Sequence, residues 1–206
     1  MRADKSGLVT ASATGFMAST KFDVEYIGKS AHAGANPELG NNALAAAATA
    51  SLNLLAIARH SQGSSRLNIG ILEAGSGRNV IPDTASMKIE TRGLNENINT
   101  YMYDKAVKIC THAAMMYDCE YKFNHMGGTT SAECDPELVN FVKDSLSNIP
   151  EIKEIKKSID FGAGEDFTYM MKEVQDNGGK ATFLMLGSEL ADAHHSRSFD
   201  FDEDVL

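Results

Sequence analysis

No basic stripe, no long apolar run, no closely spaced cysteine pair and no internal repeat stands in this 206-residue chain. Each absence closes off a class of function. The formal net charge is -9 at pH 7 and the pI is near 5.1, so little is available to neutralise a run of phosphates. This argues against nucleic acid or an anionic membrane surface as a partner, although a local arginine can still grip a small anion. The cysteines, Cys110, Cys119 and Cys134, are odd in number and lack metal-type CxxC spacing. They read as reduced thiols in a cytoplasmic protein. The first residues, MRADKSGLVTASATG, contain no apolar segment of the signal-peptide type, and the most apolar later window is broken by Thr49, Ser51 and Asn53. Neither export nor a membrane span is expected.

What is present is 43% hydrophobic content, enough to bury the core of one large domain or two modest ones. In KFDVEYI, residues 21–27, alternation predicts a strand with Phe22, Val24 and Tyr26 on one face. Asn36 as N-cap, Pro37 at the first helical position and Glu38 in the first turn predict a helix from Pro37 to about Arg59. Its apolar row Ala43, Ala47, Ala50, Leu54 and Ile57 is widened by a second row through Leu44, Ala48, Leu52 and Leu55, which predicts contact on more than one side. RLNIGIL then places Leu67, Ile69 and Ile71 on one face of a strand, and TASMKIETRG turns Ala85, Met87 and Ile89 inward with Lys88, Glu90 and Arg92 outward. A helix over Glu96–Met116 and a strand in CEYKFNH complete the order βαββαβ. That order is the ferredoxin-like unit, one antiparallel sheet with two helices on one face. Beyond MGGTTS the pattern becomes a helix from Asp135–Pro136 to about Leu146, a helix from near Glu165 and a buried strand in ATFLMLG. This last stretch reads as part of a thin α/β layer that needs further chain to cover it.

Five features carry candidate chemistry, each with a plainer explanation beside it. His32 stands in GKSAHAGANPELG, where Gly28, Ser30, Ala31, Ala33, Gly34 and Ala35 offer almost nothing to pack a ring against. Just ahead of a helix start, its imidazole is suited to donate to a developing oxyanion; a loop histidine is otherwise merely solvated. Asn79 in GSGRNVIPD is either an Asx-turn residue or a polar amide delivered by a Gly-rich turn. Arg92 is either a solvated strand residue or a fork for a carboxylate. His194 and His195 are adjacent and point different ways, so at most one is expected at a given metal. Glu165 and Asp166 lie in a helix first turn, where the dipole alone accounts for them.

Taken together, GKSAHAGANPELGNNAL, GRNVIPD, ETRG, GEDFTYM and HHSRSFDFDEDVL resemble the zinc-dependent amidohydrolase and exopeptidase family of hippurate hydrolases, aminoacylases and glutamate carboxypeptidases. The similarity is greatest to its aminobenzoyl-glutamate hydrolase branch and runs from about residue 7 to residue 206. The resemblance implies an α/β protein with an α+β lid. A ferredoxin-like dimerisation lid over 18–126 is flanked by catalytic-domain segments at 1–17 and 127–206. By motif, His32 resembles the lid histidine that reaches into a neighbouring copy's active site to stabilise the tetrahedral oxyanion. Asn79 and Arg92 resemble residues that hold the substrate carboxylate, and His195 a metal ligand. A homodimer formed through the lid, a small N-acyl amino acid as substrate, and two divalent metals per complete site, zinc or alternatively manganese, are implied with them.

One departure from the family is plain. Metal-assisted hydrolysis needs several ligands and a general base, which the family takes from the region before the lid, including an adjacent Glu-Glu pair; this chain has no such pair. The first part of a catalytic domain is therefore expected to be missing and the isolated chain to be inactive. A non-catalytic dimerisation or ligand-binding module derived from such an enzyme is the alternative.

Overall fold

Strong period-two alternation between residues 18 and 129 builds the best-defined layer of the protein. The computed structural model describes residues 2–194 and 196–205. Three short strands come first, β1 (Arg2–Ala3), β2 (Leu8–Thr10) and β3 (Ala13–Thr14). They are followed by β4 (Ala18–Ile27), a 3-10 turn at Pro37–Leu39, α1 (Ala43–Leu55), β5 (Ser65–Ala74), β6 (Thr84–Gly93), α2 (Glu96–Met116) and β7 (Glu120–Thr129). The remainder runs through α3 (Pro136–Leu146), β8 (Glu154–Lys156), β9 (Ile159–Asp160), α4 (Phe167–Asp176), β10 (Met185–Ser188) and a 3-10 turn at Glu203–Val205. Two compact units result, one spanning 17–130 and one combining 1–16 with 131–206.

The first unit is a four-stranded sheet in the order β5-β6-β4-β7, antiparallel at every pairing, with α1 and α2 packed on the same sheet core. It is the expected βαββαβ arrangement. Phe22, Val24, Tyr26, Met87 and Ile89 project from the sheet into Ala43, Ala46, Ala47, Ala50 and Leu54 of α1 and Ala106, Cys110 and Ala113 of α2. Alanines on the buried side of α1 let that helix approach the sheet closely, and close packing maximises dispersion contact. Tyr26 donates its hydroxyl to the Cys110 carbonyl at 3.2 Å. Burial pushes the Cys110 thiol up to about 11 and raises the Tyr26 phenol further, with help from the neighbouring thiol. At one end of the sheet Thr91 donates to Asn99 Oδ1 at 2.9 Å while Asn99 donates to Thr20 Oγ1 at 2.8 Å. This chain fixes the start of α2 on the strands.

Three expectations change. Helix α1 begins at Ala43, not Pro37, with Asn42 accepting from Ala45 N at 3.1 Å as the working N-cap. The Asn36–Pro37–Glu38 signature yields only a 3-10 turn, because Gly40 lies extended and wedged where a Cβ would crowd Ile81 and Ala31. Ile71 does not share a face with Leu67 and Ile69. The register slips between Ile69 and Ile71, so Ile71 pairs with outward-facing Lys88 and Leu72 with Met87. This is the effect of a bulge at Gly70, where one extra residue exchanges the two faces. Finally, the row Leu44, Ala48, Leu52 and Leu55 is not buried: Leu52 is 73% and Leu55 68% exposed.

The second unit places β1-β10-β2-β8 in a mixed sheet and β3-β9 in a parallel pair. Phe16, Phe161 and Phe183 form an aromatic cluster with centroids 5.2 to 5.8 Å apart. The expected strand in ATFLMLG is confined to Met185–Ser188; Ala181 is buried but Leu184 is exposed. Asp135 precedes α3 without capping it. Its carboxylate accepts instead from Gln175 Nε2 at 2.7 Å and Ala181 N at 2.8 Å, tying three segments together, and the Gln175 bond leads in holding its pKa below the usual carboxylate range.

Candidate functional site

The loop carrying His32 is pinned at both edges by backbone bonds. Gly28 lies so close to the Asn41 carbonyl that a Cβ would overlap it, and Lys29 N donates to Asn41 O at 3.0 Å. On the other side Ile81 N donates to Ala31 O at 2.8 Å and Ala33 N to Asn79 O at 2.9 Å, with His32 bridged to Val80. The histidine and asparagine loops are thus zipped into one structure at the Ile27 end of the sheet. Gly28 is small because the chain's own backbone passes close to it, and Gly40 because the side chains of Ile81 and Ala31 do. By contrast Ala33, Gly34 and Ala35 are exposed.

The imidazole is also exposed, and its orientation is set locally. Gly34 N and Ala35 N both donate to His32 Nδ1 at 3.1 Å. An Nδ1 that accepts two N–H groups leaves the ring proton on Nε2. Nε2 has no hydrogen-bond partner among the described residues. The expected device is the positive end of a helix immediately after the loop; that helix starts eleven residues beyond His32, at Ala43, and two adjacent peptide N–H groups take its place. The sequence signal is the Gly-Ala step after the histidine, which leaves the chain free to turn back on the ring.

Arg92 is elsewhere. It lies on the helix-free face near the far end of β6, and from Thr84 to Arg92 the strand extends roughly 27 Å at about 3.4 Å per residue. Its Nη2 pairs with both Glu90 oxygens, at 2.9 Å and 3.1 Å. Register sets Ser19 directly across from it on β4 and Arg66 directly across on β5. The Arg66–Arg92 juxtaposition is invisible in the linear sequence, since only the pairing register brings residues 66 and 92 together. The structure therefore joins His32 to the Asn79 loop and separates both from Arg92.

In the second unit, His195 lies outside the described residues. His194 stacks on Phe199 with centroids 5.5 Å apart. Glu165 and Asp166 precede α4 instead of lying in its first turn, since the helix begins at Phe167; Glu165 accepts from Phe167 N at 3.4 Å, and partial burial, then the adjacent Asp166 carboxyl, raises its pKa. Among the described residues no group of three or more His, Cys, Asp or Glu side chains is placed to hold a metal. Those residues do not by themselves fit a metal centre. No helix among them is long and apolar enough to cross a membrane.

Comparison with known proteins adds the following. Residues 15–122 match the family described as the peptidase dimerisation domain. Over 202 residues the chain is 44% identical to a p-aminobenzoyl-glutamate hydrolase polypeptide of Escherichia coli, covering 98% of this chain and 46% of that protein. The crystal structure of an aminobenzoyl-glutamate utilization protein from Klebsiella pneumoniae superposes with a TM-score of 0.87 at 43% identity, over 90% of this chain and 48% of the other. A dinuclear metal-binding peptidase from Bacillus subtilis shares the fold, with a TM-score of 0.69 at 17% identity over 98% of this chain and 49% of that one. The chain spans about half the length of the curated relatives it matches.

Proposed function

Because this chain belongs to the peptidase dimerisation domain family, we propose that it supplies the lid and the two catalytic-domain segments flanking it in a metal-dependent amidohydrolase cleaving the amide bond of N-acyl or N-aroyl amino acids. An aminobenzoyl-glutamate-like substrate is the reading favoured by its 44% identity to a p-aminobenzoyl-glutamate hydrolase. The observation that carries the proposal is the division of polar groups in the lid, with His32 and Asn79 at one end of the sheet and Arg92 near the other. A homodimer makes sense of that division: His32 and Asn79 of one copy complete the site that Arg92 of the second copy serves. The exposed Leu52 and Leu55 on α1, beside edge strand β5, supply an apolar surface for the association.

In this mechanism Arg92 holds the carboxylate of the amino-acid product portion through its guanidinium fork. Asn79 offers its amide to the same substrate. His32 donates from Nε2 to the oxygen that gains negative charge when the amide carbonyl is attacked, and its Nδ1 contacts with Gly34 and Ala35 hold the ring ready before the charge appears. The metal that the family implies would be held mainly by residues other than those described and would supply water activation and carbonyl polarisation. Zinc is the metal proposed, His195 is proposed as one ligand, and the remaining ligands come from outside the described residues.

A non-catalytic dimerisation or ligand-binding module is the second reading, favoured by the lack of a metal cluster among the described residues. Metal analysis and an assay of p-aminobenzoyl-glutamate hydrolysis separate the two. A purified chain that dimerises without metal or turnover, and gains both when the missing part of a catalytic domain is supplied, supports the enzyme-fragment proposal. A dimer that gains neither supports the module. Two bound zinc ions and turnover in the isolated chain contradict its proposed incompleteness.

A further inference from the structure

We propose that Arg66 is the second cation of the carboxylate subsite and makes it selective for amides of dicarboxylic amino acids; this rests on the reading of Arg92 as the carboxylate anchor. Residues directly opposite each other in an antiparallel pair share a face, with Cβ atoms about 4.5–5.5 Å apart. Arg66 and Arg92 stand in that relation. Like charges placed so are destabilising in a sheet that serves only as scaffold. This protein tolerates the pair on the face left free of helices, with Arg66 on β5, an edge strand of its sheet among the described residues.

The local charge balance favours an anion. Glu90 engages Arg92 through Nη2 alone, whereas Arg66 is exposed and has no ion pair among the described residues. Lys21 stands across from Glu90 on β4. Beside the pair, Lys21 and Lys88 are matched by Glu90 and Asp23 on the same face, so the two arginines carry the local excess of positive charge in a chain whose overall balance is -9. A depression of about 310 Å³ begins one residue pair further along the same face, bounded by Lys21, Asp23, Asn68, Lys88, Glu90 and Met126. Neither arginine lines it; it adjoins the pair through Asn68 and Glu90, the next residues on that face of β5 and β6.

A dicarboxylate such as glutamate carries two carboxyl groups separated by three carbon atoms, a span comparable with the spacing of the two arginine stems. One carboxylate on Arg92 leaves the second within reach of Arg66. A monocarboxylic amino acid presents nothing to Arg66, and a side-chain amide cannot match a guanidinium fork as a carboxylate does.

The test is calorimetric binding of p-aminobenzoyl-glutamate and p-aminobenzoyl-glutamine to the whole chain, as wild type and as Arg66→Gln, Arg66→Lys and Arg92→Gln. Wild type is expected to favour the glutamate ligand by about 10-fold or more, in line with a charge-assisted hydrogen bond. Arg66→Gln brings the two ligands within about 2-fold of each other while binding of the glutamine ligand is unchanged. Arg66→Lys keeps part of the preference, and Arg92→Gln weakens both ligands. Because Arg66 is exposed, the variants' thermal unfolding serves as a check that the fold is intact. A preference that survives Arg66→Gln, with Arg92→Gln still weakening both ligands, overturns the role of Arg66 and leaves the Arg92 anchor standing. If Arg92→Gln changes neither ligand, or if wild type binds neither, the anchor itself fails and the role of Arg66 fails with it.

Discussion

His32 illustrates how a single residue is prepared by its immediate neighbours. Two peptide N–H groups occupy Nδ1, so the donor at Nε2 does not have to be created during a reaction. Replacing His32 with Ala in an active preparation is expected to lower kcat by about 10²–10³-fold, the range for removal of one oxyanion donor, with a much smaller effect on KM. A loss confined to KM contradicts that role. Cys110 gives a second prediction at this scale. Its pKa is raised by burial from 9.0 to about 11, so the folded lid keeps the thiol protonated while the unfolded chain releases the proton. The resulting stabilisation is complete below pH 9 and is lost as pH rises toward 11, at most about 2–3 kcal/mol at 1.36 kcal/mol per pK unit. Urea unfolding of wild type and Cys110→Ala between pH 7.5 and 11 should show a steeper alkaline loss for wild type. Parallel curves contradict this linkage. Both residues are visible as residue types in the sequence. The Nδ1 contacts and the thiol's burial are not, since they depend on a turn and a helix face that only the fold specifies.

At the scale of elements, α1 shows where sequence signals compete. Asn36, Pro37 and Glu38 make a good helix start, yet the chain is held extended at Gly40 by the close passage of Ile81 and Ala31, and Asn42 takes over the cap. Local propensity loses here to tertiary contact. Asn42→Ala should therefore cost about 1 kcal/mol, whereas Asn36→Ala, whose side chain makes no cap bond, should change the urea midpoint little. Equal losses contradict the assignment of the cap. Strand β5 offers the complementary case. Strict alternation places Ile71 inward, but a bulge at Gly70 reverses the faces beyond it, and a lone glycine is the only sign of this in the sequence. Elsewhere the patterns are sufficient: Glu96–Met116 is helical over its expected length, because a capped, strongly periodic segment meets no such competing contact. The second apolar row of α1 is legible as apolar but not as exposed. Leu52→Glu with Leu55→Glu is expected to convert a sedimenting dimer to monomer with the thermal midpoint of the lid nearly unchanged, as these side chains are 73% and 68% exposed. A dimer that persists contradicts the use of that face.

For the molecule as a whole, the division into two units and the membership of the peptidase dimerisation domain family define what kind of protein this is. The positions of its polar groups then bear on how it works. His32, Asn79 and Arg92 are readable as candidates from their motifs. Their separation along β6 is not, because it is set by the sheet rather than by the distance between motifs in the chain. The lid reading makes that separation functional, with each substrate contacted by Arg92 of one copy and His32 of the other.

Mixing inactive variants tests this most directly. His32→Ala and Arg92→Gln are prepared separately in the active assembly, dissociated together and allowed to reassociate, and hydrolysis of p-aminobenzoyl-glutamate is followed. Random pairing makes half the dimers mixed, each with one intact site of two, so the account predicts recovery of about a quarter of wild-type activity. Activity that stays at the level of the two separate variants, while the mixed dimers demonstrably form, contradicts a site completed across two copies.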